Sequence, residues 1–260
     1  MTAFLLLQLL ALLGPWNDAP VRPSPVLRAK TLAVLNFDNN TGKADYDPMG
    51  RGIAAMMITD LATSPELKLV ERERMQDIVD EQKLSRSPMF DSTTAARVGR
   101  LLGAEFIVTG SIAASTPEMR IDMRVIKVET GQIVKTARAT GSEDKFFEIE
   151  QHLADDVLKD LDIALSPESA ALLEKRREAD RQMGIASFRA LSSAFVAIDK
   201  RDFSTAITQL QPLVMRSPDS RVVQFAYQEA KHRAAEAAKD AVTKKAGDLL
   251  KGLFPKKPQQ

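Results

Sequence analysis

Residues Thr31 to Asp38 read TLAVLNFD, apolar at nearly every position. Such a run suits a strand buried on both faces, as in sheets covered by helices on either side. Working outward, Asn39 to Asp47 is polar and contains Gly42, which predicts a loop. Met49, Ile53, Met56, Met57 and Leu61 then recur at helical spacing. Pro48 falls where a first helical turn tolerates it, with Asp47 as the expected N-cap. Ser64-Pro65 stops that helix. Leu67 to Val70 predicts a short strand, and Met75, Ile78 and Val79 mark a helix to about Lys83. Asp91 or Ser92 is the expected cap of another helix, carrying Ala95, Val98, Leu101 and Leu102 and closed by Gly103.

Strands follow. Glu105 to Ala113 is largely apolar. Met119, Ile121, Met123 and Val125 alternate with Arg120, Asp122 and Arg124, which predicts one buried and one wet face. Ile126 and Val128 break that pattern, so a bulge or a change of cover is expected after Val125. Glu129-Thr130-Gly131 predicts a tight turn, and Gln132 to Thr140 the returning strand. Phe146, Ile149, Leu153, Val157 and Leu161 form the next amphipathic helix. From Ser166 onward only helices are expected, at about 168–185, 187–200, 203–215 and from 220. Ala206, Ile207, Leu210 and Pro218 fall where a tetratricopeptide-type (TPR-like) helix pair places small, apolar and proline residues.

Residues 1–19 read as a signal peptide: the stretch Thr2 to Leu13 is apolar apart from Thr2 and Gln8 and shorter than a spanning helix. Residues 20–30 read as a Pro-rich linker and 255–260 as a frayed tail. The expected organisation is therefore an α/β region over 31–165, a mixed sheet with helices packed on it, then an all-α region of TPR-like helical hairpins over 166–254.

Composition narrows the chemistry. The 260 residues carry 36 Lys+Arg against 35 Asp+Glu, a formal net charge of +1. That balance argues against nucleic acid as a partner. There is no cysteine, which excludes thiolate chemistry, disulfides and lipidation on cysteine. The two histidines, His152 and His232, leave little for metal or triad chemistry. No enzyme activity, cofactor or metal is expected. Met49, Met56, Met57, Met119 and Met123 fit core positions rather than a copper site. The loop Asp38, Asn39, Asn40, Thr41 and Gly42 leaves the end of a buried strand and is the candidate interaction loop. Glu71, Arg72, Glu73 and Arg74 alternate in charge at a strand–helix junction and are candidate subunit contacts.

The ordered series LAVLNFDN, MGRGIAAMMITDL, LKLVERERMQDIVDEQKLS and TTAARVGRLLGAEFIVTGSI, with MRVIKVETGQIV after it, resembles the CsgG-like family of bacterial envelope proteins. The resemblance runs from about Leu32 to Leu165. A similar layout occurs in TolB N-terminal domains and flagellar outer-membrane accessory proteins. It implies an α/β envelope domain without catalysis, self-associating or docking to envelope proteins. The family's best-known member is a ring-shaped, lipidated outer-membrane channel with two long membrane hairpins per subunit. Here the segments Ser111 to Met119 and Thr140 to Lys145 are too short for such hairpins. The expectation is a periplasmic interaction protein, associated with the outer membrane at most peripherally, possible homo-oligomers included. The alternative is a curli-type secretion component.

Overall fold

The computed structural model describes residues 29–70, 92–114 and 118–253. The helix expected around Met75 to Lys83, the contacts Glu71 to Arg74, the signal peptide and the frayed tail lie outside the described residues.

The strand read at Thr31 to Asp38 is present in two pieces, β1 (Lys30–Val34) and β2 (Asp38–Asn39). Both run parallel to β4 (Phe106–Ala114), β1 against Phe106–Val108 and β2 against Ser111–Ile112. The interruption has a local cause. Phe37 donates its N–H to the carbonyl of Gly50, at 3.1 Å, instead of pairing with β4. Its ring lies over Gly110, where a Cβ would approach within 2.2 Å of it. On the outer side, β1 pairs in parallel with β3 (Leu67–Leu69). Beyond β4 the sheet turns antiparallel through β5 (Glu118–Lys127) and β6 (Gln132–Ser142), giving the order β3-β1-β4-β5-β6. The turn at Gly131 has φ +69°, as its glycine requires.

Helices cover both faces, as the two-sided burial of β1 demands. Leu32, Val34, Val108, Ile121 and Met123 face α1 (Met49–Leu61) and α3 (Phe146–Asp160). Ala33, Leu35, Ile107, Ile126 and Val128 face α2 (Ser92–Leu102) through Ala95, Val98 and Leu102. The methionines expected in the core are there: Met49, Met56, Met57, Met119 and Met123 are all buried. Asp47, expected to cap α1, does not; its carboxylate accepts from the Asn39 side chain at 2.6 Å, and Pro48 holds the cap position.

Four helices follow: α4 (Pro167–Arg181), α5 (Ile185–Asp199), α6 (Phe203–Arg216) and α7 (Arg221–Leu253). Ser166 caps α4 by accepting from Ser169 N–H, ahead of Pro167 in the first turn, and Asp202 caps α6 through Thr205. These helices close over α1. Phe188 of α5 packs 4.3 Å from the Phe146 ring of α3, and Arg51 of α1 pairs with Asp199 at 3.0 Å. One hydrophobic core therefore runs from the sheet through α1 into α5, α6 and the first half of α7. Up to residue 246 the last buried position of α7 is Ala230, and residues 235–246 of that helix are exposed throughout.

In α1 every residue except Ile58 and Thr59 is buried. Two glycines make that possible. A Cβ at Gly50 would lie 1.8 Å from the Phe37 carbonyl oxygen, and one at Gly52 would lie 2.0 Å from the Ser192 hydroxyl of α5. Gly52→Ala should cost about 1–3 kcal/mol despite alanine's better helix propensity, because the atoms it meets belong to side chains that can shift. Gly50→Ala meets backbone and should cost more. Urea unfolding of both variants checks that order.

Candidate functional site

The sheet face opposite α1 and α3 is covered along only part of its width. β5 keeps its alternation throughout; the cover changes. Ile126 and Val128 lie under α2, while Arg120, Asp122 and Arg124 on the same face lie beyond it. The irregularity expected after Val125 is also present: Val125 pairs with Lys135 and Ile126 with Ile133, leaving Val134 of β6 as the extra residue.

Beyond α2 the face forms an open polar concavity of about 630 Å³ across β4, β5 and β6. Register builds it. Asp122 stands between Ser111 on β4 and Arg138 on β6, and Arg124 stands between Thr109 and Thr136. Asp122 is the hub: one oxygen accepts from Arg120 Nε at 3.0 Å, the other from Arg138 Nε at 2.7 Å. Two guanidinium groups thus hold one carboxylate, and a third, Arg124, stands next to it along β5. Ser111 is 3% exposed and lines the concavity from β4. Such a set holds charge and offers hydrogen bonds; arginine does not release a proton in the working range.

The candidate interaction loop lies at this rim. Asn40 lines the concavity and anchors there by donating its N–H to the Ile112 carbonyl at 2.8 Å. Asn39 is a structural member: its side chain donates to the Lys43 carbonyl at 2.7 Å and to Asp47, and accepts from Thr41 N–H and hydroxyl. Gly42 supplies the positive φ, +73°, of the turn. The loop is thus shaped from within, leaving Asn40 exposed. His152 is on the surface of α3, 66% exposed and 3.8 Å from Asp156. Arg138, Ser111 and Thr136 escape sequence reasoning because only strand register joins them to Arg120 and Arg124.

A second polar group is buried where the helices meet. Asp60 of α1 accepts from Arg177 Nε of α4 at 2.7 Å, and Arg177 also reaches Asp155 of α3 at 2.9 Å. Asp180 accepts from the Ser220 hydroxyl at 2.6 Å. Glu150 is wholly buried, and its two carboxylate oxygens lack a partner among the described residues. Burial pushes Glu150 well above the usual carboxylate range, helped by the nearby Asp60 charge and opposed by Arg177. Burial also raises Asp60, against the pull of Arg177, and raises Asp180 to about 7, against the Ser220 hydrogen bond. Among the described residues no helix is long and apolar enough to cross a membrane.

A mainly apolar groove of about 520 Å³ also runs between α1, the end of β3 and α7, lined by Ala55, Ile58, Leu69 and Phe225.

Residues 18–116 match the family model described as the curli production assembly/transport component CsgG. The resemblance read from the sequence holds over that stretch, and the family is one of the bacterial cell envelope. A putative adenylate cyclase of Rhizobium meliloti (strain 1021) is 26% identical over 186 residues, which is 66% of this chain and 29% of that protein. This chain thus spans under a third of that relative. Among solved structures, the C-terminal domain of LpoB from Escherichia coli is 18% identical, with a TM-score of 0.38, covering 46% of this chain and 87% of that one. The lipoprotein GNA1162 from Neisseria meningitidis is 9% identical, with a TM-score of 0.39, covering 52% and 99%. The PelC dodecamer from Paraburkholderia phytofirmans is 15% identical, with a TM-score of 0.33, covering 55% and 94%.

The buried carboxylates have a pH consequence. Unfolded, Asp180 and Glu150 lose their protons near pH 4; folded, they hold them to higher pH. The favourable contribution of protonated Asp180 is complete below about pH 4 and lost as the pH rises through about 7, and that of Glu150 is lost in the same direction as it ionises. The melting midpoint should therefore fall between pH 5 and pH 8. Asp180→Asn, which keeps an acceptor for Ser220, should flatten that fall; calorimetry across the range checks both.

Proposed function

We propose that this chain is a non-enzymatic interaction and assembly protein of the bacterial cell envelope, working in the periplasm or at the inner surface of the outer membrane. One observation carries the reading: in a sheet otherwise buried under helices, the β4–β6 face stays open, polar and positively charged, with Asn40 at its rim. The CsgG match supports the envelope setting. The open set of arginines around one carboxylate suits holding a partner rather than moving protons. The C-terminal helices brace α1 and so hold the sheet that presents this face. The docked partner is another envelope protein or a second copy of the chain. The likeness to a putative cyclase reaches under a third of that protein and lends no cyclase reading to this one. The family description favours, as the second reading, a secretion component that assembles in the outer membrane.

A photo-crosslinking residue at Asn40 should yield one discrete adduct in the envelope, and the same residue at exposed Lys175 on α4 should yield none. Equal labelling at both positions, or no adduct at either, overturns the docking face. Light scattering of the purified protein with and without detergent separates the two readings: a large detergent-dependent ring supports the second.

A further inference from the structure

Resting on the docking face just described, we infer that the open β4–β6 face takes an acidic protein segment in extended form, laid along β5. Charge sets the class of ligand: Arg120, Arg124 and Arg138 outnumber Asp122 and Asp38, which pairs with Ser111 on β4, and the loop at the rim adds Asn40, a neutral hydrogen-bonding side chain. Spacing sets its form. Arg120 and Arg124 are four residues apart on one strand, about 13 Å at the usual rise. An extended peptide has the same repeat, so its carboxylates at positions i and i+4 reach both arginines without strain in either chain. Between them the middle side chain, i+2, meets Asp122 and the hydroxyl of Ser111. Ser111 is 3% exposed and lines the concavity. An acid at i+2 is repelled by Asp122, whereas Ser, Thr or Asn there accepts from or donates to Ser111. The pattern is acid, any, hydroxyl or amide, any, acid.

Opposite guanidinium groups so placed, a carboxylate forms charge-assisted, bidentate hydrogen bonds. Single phosphate ions satisfy one arginine at a time and gain nothing from the spacing. The test uses the full chain and a fluorescein-labelled heptapeptide of Ser and Thr with Glu at its second and sixth positions. Fluorescence anisotropy should saturate with this peptide, and should not change with the peptide carrying Lys at those positions. Adding Glu at the fourth position should weaken binding. Arg124→Gln should weaken it at least tenfold, and Asp122→Asn, which removes the competing carboxylate, should tighten it. Both side chains are on the solvent side, and melting midpoints within a few degrees of the parent confirm that the variants fold. No saturable binding, or binding unchanged in Arg124→Gln and Asp122→Asn alike, overturns the inference. Displacement by inorganic phosphate beyond that caused by chloride at equal ionic strength also overturns it, in favour of an isolated oxyanion site. The Asn40 crosslink reports docking whatever the ligand's charge, so a failed peptide with a persisting crosslink removes the acidic segment and leaves the docking face.

Discussion

The arrangement depends on how closely α1 is held between its neighbours. A helix of ordinary residues keeps neighbouring backbone about 8–10 Å from its axis. Here Gly50 admits the Phe37 carbonyl on one side, and Gly52 admits Ser192 and the Phe188 ring on another. Two residues apart on a helix, these positions point in nearly opposite directions. α1 is therefore an inner layer, with the sheet beneath and α5 above. The break between β1 and β2 belongs to the same constraint, since the N–H that Phe37 gives to Gly50 is the one a continuous strand would give to β4. That break also frees β2 to end beside Ser111, which delivers Asn40 to the rim of the polar face.

The polar group between α1, α3 and α4 complements this packing. Arg177 is buried with Asp60, and removing either partner of such a pair leaves an unsatisfied charge in a poor solvent for it. Asp60, Asp155, Gln151 and Arg177 come from three helices, so they fix the angle at which the C-terminal helices approach. Apolar side chains alone tolerate sliding; paired charges do so far less. The exposed Arg120–Asp122–Arg138 set on the sheet has the opposite character. It is screened by water, contributes little to stability and remains available to another molecule.

Periodicity made most of the elements legible from sequence. The alternation of Met119 to Val125, the turn at Gly131, the Ser166-Pro167 start of α4 and the methionine core all follow from local pattern. Three things did not, each for a reason beyond local pattern. The single strand expected at Thr31 to Asp38 is divided because Phe37 is claimed by Gly50, a contact between neighbouring elements that no period encodes. Asp47 is drawn from its capping role by Asn39, eight residues earlier. The polar concavity needs the pairing of Asp122 with Arg138 and Ser111, and register across strands is set by whole-sheet packing. The wet side of β5 was visible as arginines; its partners were not. The candidate loop was legible in position, yet its residues divide: Asn40 lines the concavity, while Asn39 builds the loop.

The exposed half of α7 differs in kind from the rest of the molecule. Its first turns are held by Val222, Val223, Ala226 and Ala230, so the costly step of starting a helix has already been met where it is docked. Residues 235–246 extend outward on backbone bonding and on the propensity of alanine and lysine, over roughly 18 Å. Among the described residues no side-chain burial sets the register of that stretch. Its backbone hydrogen bonds, bordered by water rather than by packed side chains, belong to the part of the helix that opens at the lowest local cost. The molecule thus carries a water-surrounded rod mounted on a body whose described core is held by close fit.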